Sequence, residues 1–133
     1  MTDADIAKQF IEAMMASDTA TMQTLLSAAV TWHPPDSVAD HFGASIEGID
    51  AVMAFLTENP QAYYEPGSRR AEFLHVIAEG DTVSAHFNFI ARPKKGGTLN
   101  VGANWVFELS DRQITAVWEI LDVAQWNSAV LPD

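Results

Sequence analysis

Glu119 is the residue in this chain whose chemistry most needs an explanation. It lies in Ile114-Thr-Ala-Val-Trp-Glu-Ile-Leu-Asp122, a run otherwise rich in the β-branched and aromatic residues that fit a pleated sheet. On the same face as Val117, Leu121 and Val106 of the preceding run, its carboxylate would be partly desolvated. Desolvation raises a carboxyl pKa toward neutrality, where the group can give or take a proton. Its candidate companions are His86, Asn88, Asn104 and His75, with His33 and His41 further upstream. No His-x-His, HExxH or comparable spacing links these side chains, so no metal site is expected. There is no cysteine, and no GxGxxG, P-loop or GxSxG motif. The chemistry expected of these residues is acid–base work without a cofactor.

Two strands must position Glu119. Asn100 to Leu109 and Ile114 to Asp122 read as a hairpin around Asp111 and Arg112, with Ser110 opposite Gln113. That register sets Trp105 against Trp118 and Asn104 against Glu119. One face then carries Ala103, Trp105, Phe107, Leu109, Ile114, Ala116, Trp118 and Ile120. The other mixes Val106, Val117 and Leu121 with Asn104, Glu108, Thr115 and Glu119. Upstream, Thr82 to Ile90 alternates, with Val83, Ala85, Phe87 and Phe89 on one side and Ser84, His86 and Asn88 on the other. Ala71 to Ala78 reads as its partner across the Glu79-Gly80-Asp81 turn. His75 then faces His86, Phe73 faces Asn88, and Ile77 faces Ser84. In a continuous sheet Glu119, His86, Asn88 and Asn104 share one face. For Glu119 the competing reading is an exposed residue on the solvent side of an edge strand. For His86 it is a solvated polar residue, or a buried one satisfied by a carbonyl.

Helices precede the strands. Ile6, Phe10, Ala13 and Met14 recur at helical spacing over residues 4–16, after Thr2 or Asp3 as cap. Asp18 or Thr19 can cap a second helix through about Leu26. Val30 to His33 is extended and ends at Pro34-Pro35, 36–47 reads as loop with a short strand near Phe42, and His41 lies in that loop. A third helix is expected from Ala51 to about Thr57, stopped by Asn59-Pro60. Helices followed by antiparallel strands make an α+β layout, with helices on one face of a curved sheet. No linker or repeat divides residues 1–133, so one domain is expected.

The net charge of −11 opposes nucleic acid and anionic membranes as partners. Arg69-Arg70 and Arg92/Lys94/Lys95 read as strand-end or turn solubility charges. The start, Met1-Thr-Asp-Ala-Asp-Ile, is not a signal peptide, and no apolar run spans a bilayer, so a cytoplasmic location is expected. The Trp105/Trp118 face with its Val83/Phe87/Phe89 neighbour makes a wide apolar surface, and a homodimer through the sheet would cover it.

The chain resembles the nuclear transport factor 2-like superfamily, and within it the SnoaL-like polyketide cyclases with their ketosteroid isomerase and limonene epoxide hydrolase relatives. The resemblance rests on Phe10…Met14…Asp18, Val30-Thr-Trp-His-Pro34, Gly48-Ile-Asp, Ala78-Glu-Gly-Asp-Thr-Val83 and Ile114-x-x-x-Trp118-Glu-x-x-Asp122. It implies a cone-shaped α+β barrel, a cystatin-like fold, with a ligand pocket inside. It also implies that Glu119 stands where the hydrolases and cyclases carry a pocket aspartate. His86 and Asn88 match the hydrolases' arginine and aspartate, and Trp105 falls at the cyclases' histidine. His33 precedes proline as the isomerases' general base does, and Phe10 matches their helix tyrosine. The pocket layout is kept and each of the three catalytic sets is incomplete. Trp32 lies in the same Val30–Pro34 run.

Two functions follow from the resemblance. The first is an enzyme acting on an apolar oxygenated molecule by isomerisation, cyclisation, dehydration or hydrolysis. Glu119 would move the proton with His86 beside it, while Asn88, His33, Asn104, His75, Phe10 and Trp32 bind the substrate. The second is a module that binds an apolar ligand or a partner protein without chemistry.

Overall fold

A computed structural model of the chain describes residues 1–35 and 45–132. His41 and the strand expected near Phe42 lie outside the described residues. The elements run α1 (Asp3–Met15), α2 (Thr19–Leu25), β1 (Leu26–His33), β2 (Ile46–Glu47), α3 (Ile49–Tyr63), β3 (Arg70–Glu79), β4 (Thr82–Ala91), β5 (Leu99–Ser110), β6 (Gln113–Leu121) and α4 (Val123–Val130). The strands form one sheet in the order β2-β1-β6-β5-β4-β3. Every neighbouring pair is antiparallel except β1 and β6, which run parallel. This is the expected α+β fold.

Local chemistry explains the helix ends. Thr2 and Asp5 form a capping box, with Asp5 N–H on the Thr2 hydroxyl at 3.1 Å and Thr2 N–H on Asp5 Oδ2 at 3.0 Å. Asp18 caps α2 by accepting from Thr21 N–H at 3.2 Å. α3 does not stop at Asn59-Pro60 as the sequence reading expects. The proline ring suits helical φ and costs one donor, and the Pro60 carbonyl still accepts from Tyr64 N–H at 3.0 Å. α4 was not foreseen; Asp122 caps it by accepting from Gln125 N–H at 3.1 Å.

The hairpin turn falls where expected, with Ser110 opposite Gln113, but the register beyond it is corrected by a bulge. Leu109 pairs with Ile114 and Glu108 pairs with Ala116, so Thr115 is an extra residue. Its hydroxyl turns to the Glu108 carbonyl at 3.1 Å. Because side chains alternate with period two, one inserted residue moves everything after it to the other face. Trp105 therefore pairs with Glu119, not Trp118, and Asn104 pairs with Ile120, not Glu119. A second bulge at Leu74 corrects the β3 register in the same way. Phe73 faces Phe87 rather than Asn88, while His75 stays opposite His86 and Ile77 opposite Ser84.

The two faces follow from these registers. The inner face carries Val83, Ala85, Phe87, Ala103, Trp105, Phe107 and Val117, all buried against α1, α2 and α3. Phe10 and Trp32 meet there with ring centroids 5.9 Å apart, and Trp32 meets Trp105 edge-on at 5.5 Å. The Trp105 face, expected to need a second subunit, is thus the chain's own core. Trp118 and Ile120 lie instead on the outer face. Leu74, Ile77 and Ile120 are also exposed, at 49%, 64% and 54%.

Asp111 and Arg112 both have positive φ, 51° and 64°, the backbone of a type I′ hairpin turn. Left-handed backbone costs an ordinary residue about 1–2 kcal/mol, and a glycine there loses roughly 0.4–1 kcal/mol through the freer unfolded chain. Arg112→Gly is therefore expected to raise stability by about 0.5–1 kcal/mol in chemical denaturation. A lower midpoint would contradict this turn geometry.

Candidate functional site

The inner face is not filled at one end of the sheet. A cavity of about 110 Å³, partly open to solvent, lies there. Met14 and Met15 from α1, Phe55, Leu56 and Asn59 from α3, and Trp126 from α4 cover it. Phe89, Val101, Ala103, Trp105, Glu119 and Leu121 form its sheet wall, and Tyr64 and Arg69 its side. An apolar cavity of ~150 Å³ takes one benzene ring, so this space suits a compact, mostly apolar molecule.

Glu119 reaches the cavity only because Thr115 shifts the register. It is half-buried, and the surface it shows lines the cavity. Burial is the main cause that pushes its carboxyl up to about 7, and the Trp32 indole N–H pulls the other way. That pull is weak because the contact stops short of a full hydrogen bond: Trp32 Nε1 is buried without a partner. Trp105 Nε1 and Asn59 Nδ2 are also buried donors without partners, and both residues line the cavity. Each unmet donor costs about 1–3 kcal/mol, a cost that a ligand oxygen accepting from it would offset. Tyr64 Oη accepts from Trp126 Nε1 at 2.8 Å. Burial, above all, pushes the phenol up to about 12, with Glu119 adding to the rise, so Tyr64 stays a neutral hydroxyl near neutrality. The site thus holds one group able to exchange a proton near pH 7 and several donors for an oxygen atom.

The other residues singled out in the sequence fall elsewhere. His86, Asn88 and Asn104 are on the outer face, which corrects their expected placement beside Glu119. His75 joins His86 there, their Nδ1 atoms 3.1 Å apart. Asn104 accepts from Ser84 Oγ at 2.8 Å. His33 is also outside, stacked on Trp118 with centroids 4.7 Å apart and planes 5° off parallel. Phe10 is a core residue between Trp32 and Phe107 and does not line the cavity. Trp32 is buried behind Trp105 and bears on Glu119 through its indole. Among the described residues no three His, Asp or Glu side chains come together as ligands for a metal ion. Asn59, Tyr64, Arg69 and Trp126 were missed. They lie at a helix end, in connections and in the unforeseen α4, where strand alternation carries no signal. Arg69 is not a solubility charge: it is half-buried in the cavity wall.

The raised Glu119 pKa has a consequence for stability. Its folded pKa exceeds the unfolded one, so the folded state holds the proton more tightly. Stability from this residue is full below about pH 4.3, falls as pH rises, and levels off above about 7. The loss is on the order of 3 kcal/mol. Asp5 and Asp18, held low by their caps, act with the opposite sign at lower pH. The difference between wild type and Glu119→Gln isolates the effect. The variant should gain stability relative to wild type between pH 5 and 8, followed by denaturant titration at each pH; a pH-independent difference would contradict the burial of this carboxyl.

Residues 7–117 match the family model of the SnoaL-like domain. No curated protein matches the sequence. Among solved structures, an NTF2-like protein of unknown function from Burkholderia pseudomallei superposes with a TM-score of 0.86 at 17% identity, covering 99% of this chain and 100% of that one. A protein of unknown function with a cystatin-like fold from Xanthomonas campestris gives 0.82 at 25% identity, with 96% and 97% covered. A protein with a ketosteroid isomerase-like fold from Catenulispora acidiphila, in complex with trimethylamine, gives 0.77 at 13% identity, with 93% and 90% covered. No helix among the described residues is long and apolar enough to cross a membrane. The matched stretch carries most of α1, all of α2 and α3 and most of the sheet, and ends before Glu119 and α4; on that match this chain belongs to the SnoaL-like domain family.

Proposed function

We propose that this chain is an enzyme that moves a proton on a small, mostly apolar, oxygenated molecule, with Glu119 as its acid–base group. The observation that carries the reading is a carboxyl inside an apolar cavity, with its pKa pushed up to about 7. A general acid or base works best when its pKa lies near the working pH. The unpartnered donors of Asn59 and Trp105 would hold a ligand oxygen, where they stabilise negative charge that develops as the proton moves. Isomerisation, cyclisation, dehydration and hydrolysis all use such a step. In a screen of small cyclic ketones, esters and epoxides, Glu119→Gln is expected to lower kcat by roughly 10²–10⁴-fold and to remove the inflection near pH 7. Unchanged turnover in the variant would sink the proposal.

A second reading, binding without chemistry, is favoured by one observation. Glu119 is the one carboxylate among the described cavity residues, and none of the described histidines lines the cavity with it. A ligand that stabilises wild type and Glu119→Gln equally, and is recovered unchanged, would decide for this reading.

We also propose that a second copy of the chain covers the outer face. Leu74, Ile77 and Ile120 are exposed there beside the half-buried Trp118 and the neutral Asn104 and Ser84. A patch poor in charge on a chain of net charge −11 is where two copies can approach with least repulsion. Sedimentation at micromolar concentration should give a dimer that Ile77→Glu converts to monomer; a wild-type monomer would contradict it.

A further inference from the structure

Arg69 is the charged group in the cavity wall that the acid–base reading leaves without a task. It stands just before β3 and its Nη2 donates to the Met14 carbonyl at 2.7 Å and to Ser17 Oγ at 3.2 Å. These bonds fix the guanidinium across the C-terminal end of α1. Its Nε and Nη1 donors have no partner among the described residues. Nor does any described carboxylate lie within ion-pair distance, whereas Arg70 pairs with Glu72 at 3.1 Å and Arg92 with Glu65 at 3.2 Å. A guanidinium stays protonated even where burial disfavours its charge, as it does here. Arg69 is therefore a half-buried cation with donors to spare.

Its position is between two spaces. Arg69 lines the cavity, and it also lines a groove on the other side that includes Arg70 and Lys94. Three of the chain's seven basic residues thus border one groove, which Glu12 and Glu65 also border. Tyr64 responds to both ends of the cavity: the Glu119 charge opposes its ionisation and the Arg69 charge favours it. The cavity therefore has a carboxyl on one wall, a cation on another and apolar side chains between.

We infer that the ligand of this cavity is a small organic carboxylate, its apolar body among Phe89, Val101 and Trp105 and its charged end held by Arg69. The inference rests on reading the cavity as the ligand site and adds the class of molecule. A carboxylate oxygen can accept a charge-assisted N–H bond from the Nε or Nη1 that Met14 and Ser17 leave open. A phosphate fits less well, because it brings more charge to an acidic chain and needs more donors than one arginine leaves open.

The test uses benzoate and benzamide, which share a ring and differ in charge. Isothermal titration of wild type at low salt is expected to give benzoate about tenfold or more the affinity of benzamide. High salt should weaken benzoate alone, since screening acts on the charge. Arg69→Met should abolish the preference and Arg69→Lys should keep part of it. Circular dichroism checks that Arg69→Met folds; if it does not, the salt dependence of the wild-type preference decides. Equal affinities, a preference that survives in folded Arg69→Met or in high salt, or no benzoate binding at about 10 mM would each overturn the inference. Glu119→Gln separates it from the acid–base reading: that variant should keep the benzoate preference whatever becomes of turnover.

Discussion

The position of one inserted residue, Thr115, governs the site. Without it the hairpin would continue in step from Leu109/Ile114, and Glu119 would lie opposite Asn104 on the outer face. With it Glu119 lies opposite Trp105, on the side that α1, α3 and α4 cover. The same shift sends Trp118 and Ile120 outward, where Trp118 meets His33. The fold spends an irregular ladder to carry a carboxyl into an apolar space, and a bulge next to a functional site is a recurrent use of that irregularity.

Holding the carboxyl there works against stability. Burial favours its protonated form, and the nearby indole of Trp32 gives only partial relief. The unmet donors of Trp105 and Asn59 add to the cost. The offset comes from the packed core beside the cavity, where Phe10, Trp32, Phe87, Trp105 and Phe107 interlock at centroid distances of 5.3–6.3 Å. Tyr64 and Trp126 close the other side with their own buried hydrogen bond. A rigid frame around unsatisfied polar atoms is the arrangement expected where a ligand completes the hydrogen bonding.

Much of the fold was legible because its signals are local. Periodicity in Ile6, Phe10, Ala13 and Met14 marks α1, the Asp111-Arg112 turn marks the hairpin, and alternation in Val83–Phe89 marks β4. Glu119 was legible as a site residue from its apolar neighbours and the family resemblance. Its companions were not, because they depend on register. A bulge leaves no clear trace in composition, so Thr115 and Leu74 read as ordinary strand residues. The assignment of His86, Asn88 and Asn104 to the Glu119 face followed from an unbroken ladder. Tyr64, Asn59 and Arg69 come to the cavity through tertiary packing of a helix end and a connection. For α4 a signal was present, since Asp122-Val-Ala-Gln125 has the spacing of a helix start.

The central claim is that the Glu119 carboxyl is desolvated inside the cavity and exchanges its proton near neutrality. The most direct measurement is a pH titration of its side-chain carboxyl carbon by NMR, assigned by the signal missing in Glu119→Gln. The account predicts a midpoint of about 7. A midpoint near the ordinary glutamate value of ~4.3 would mean a solvated carboxylate, and would contradict both the site and the function built on it.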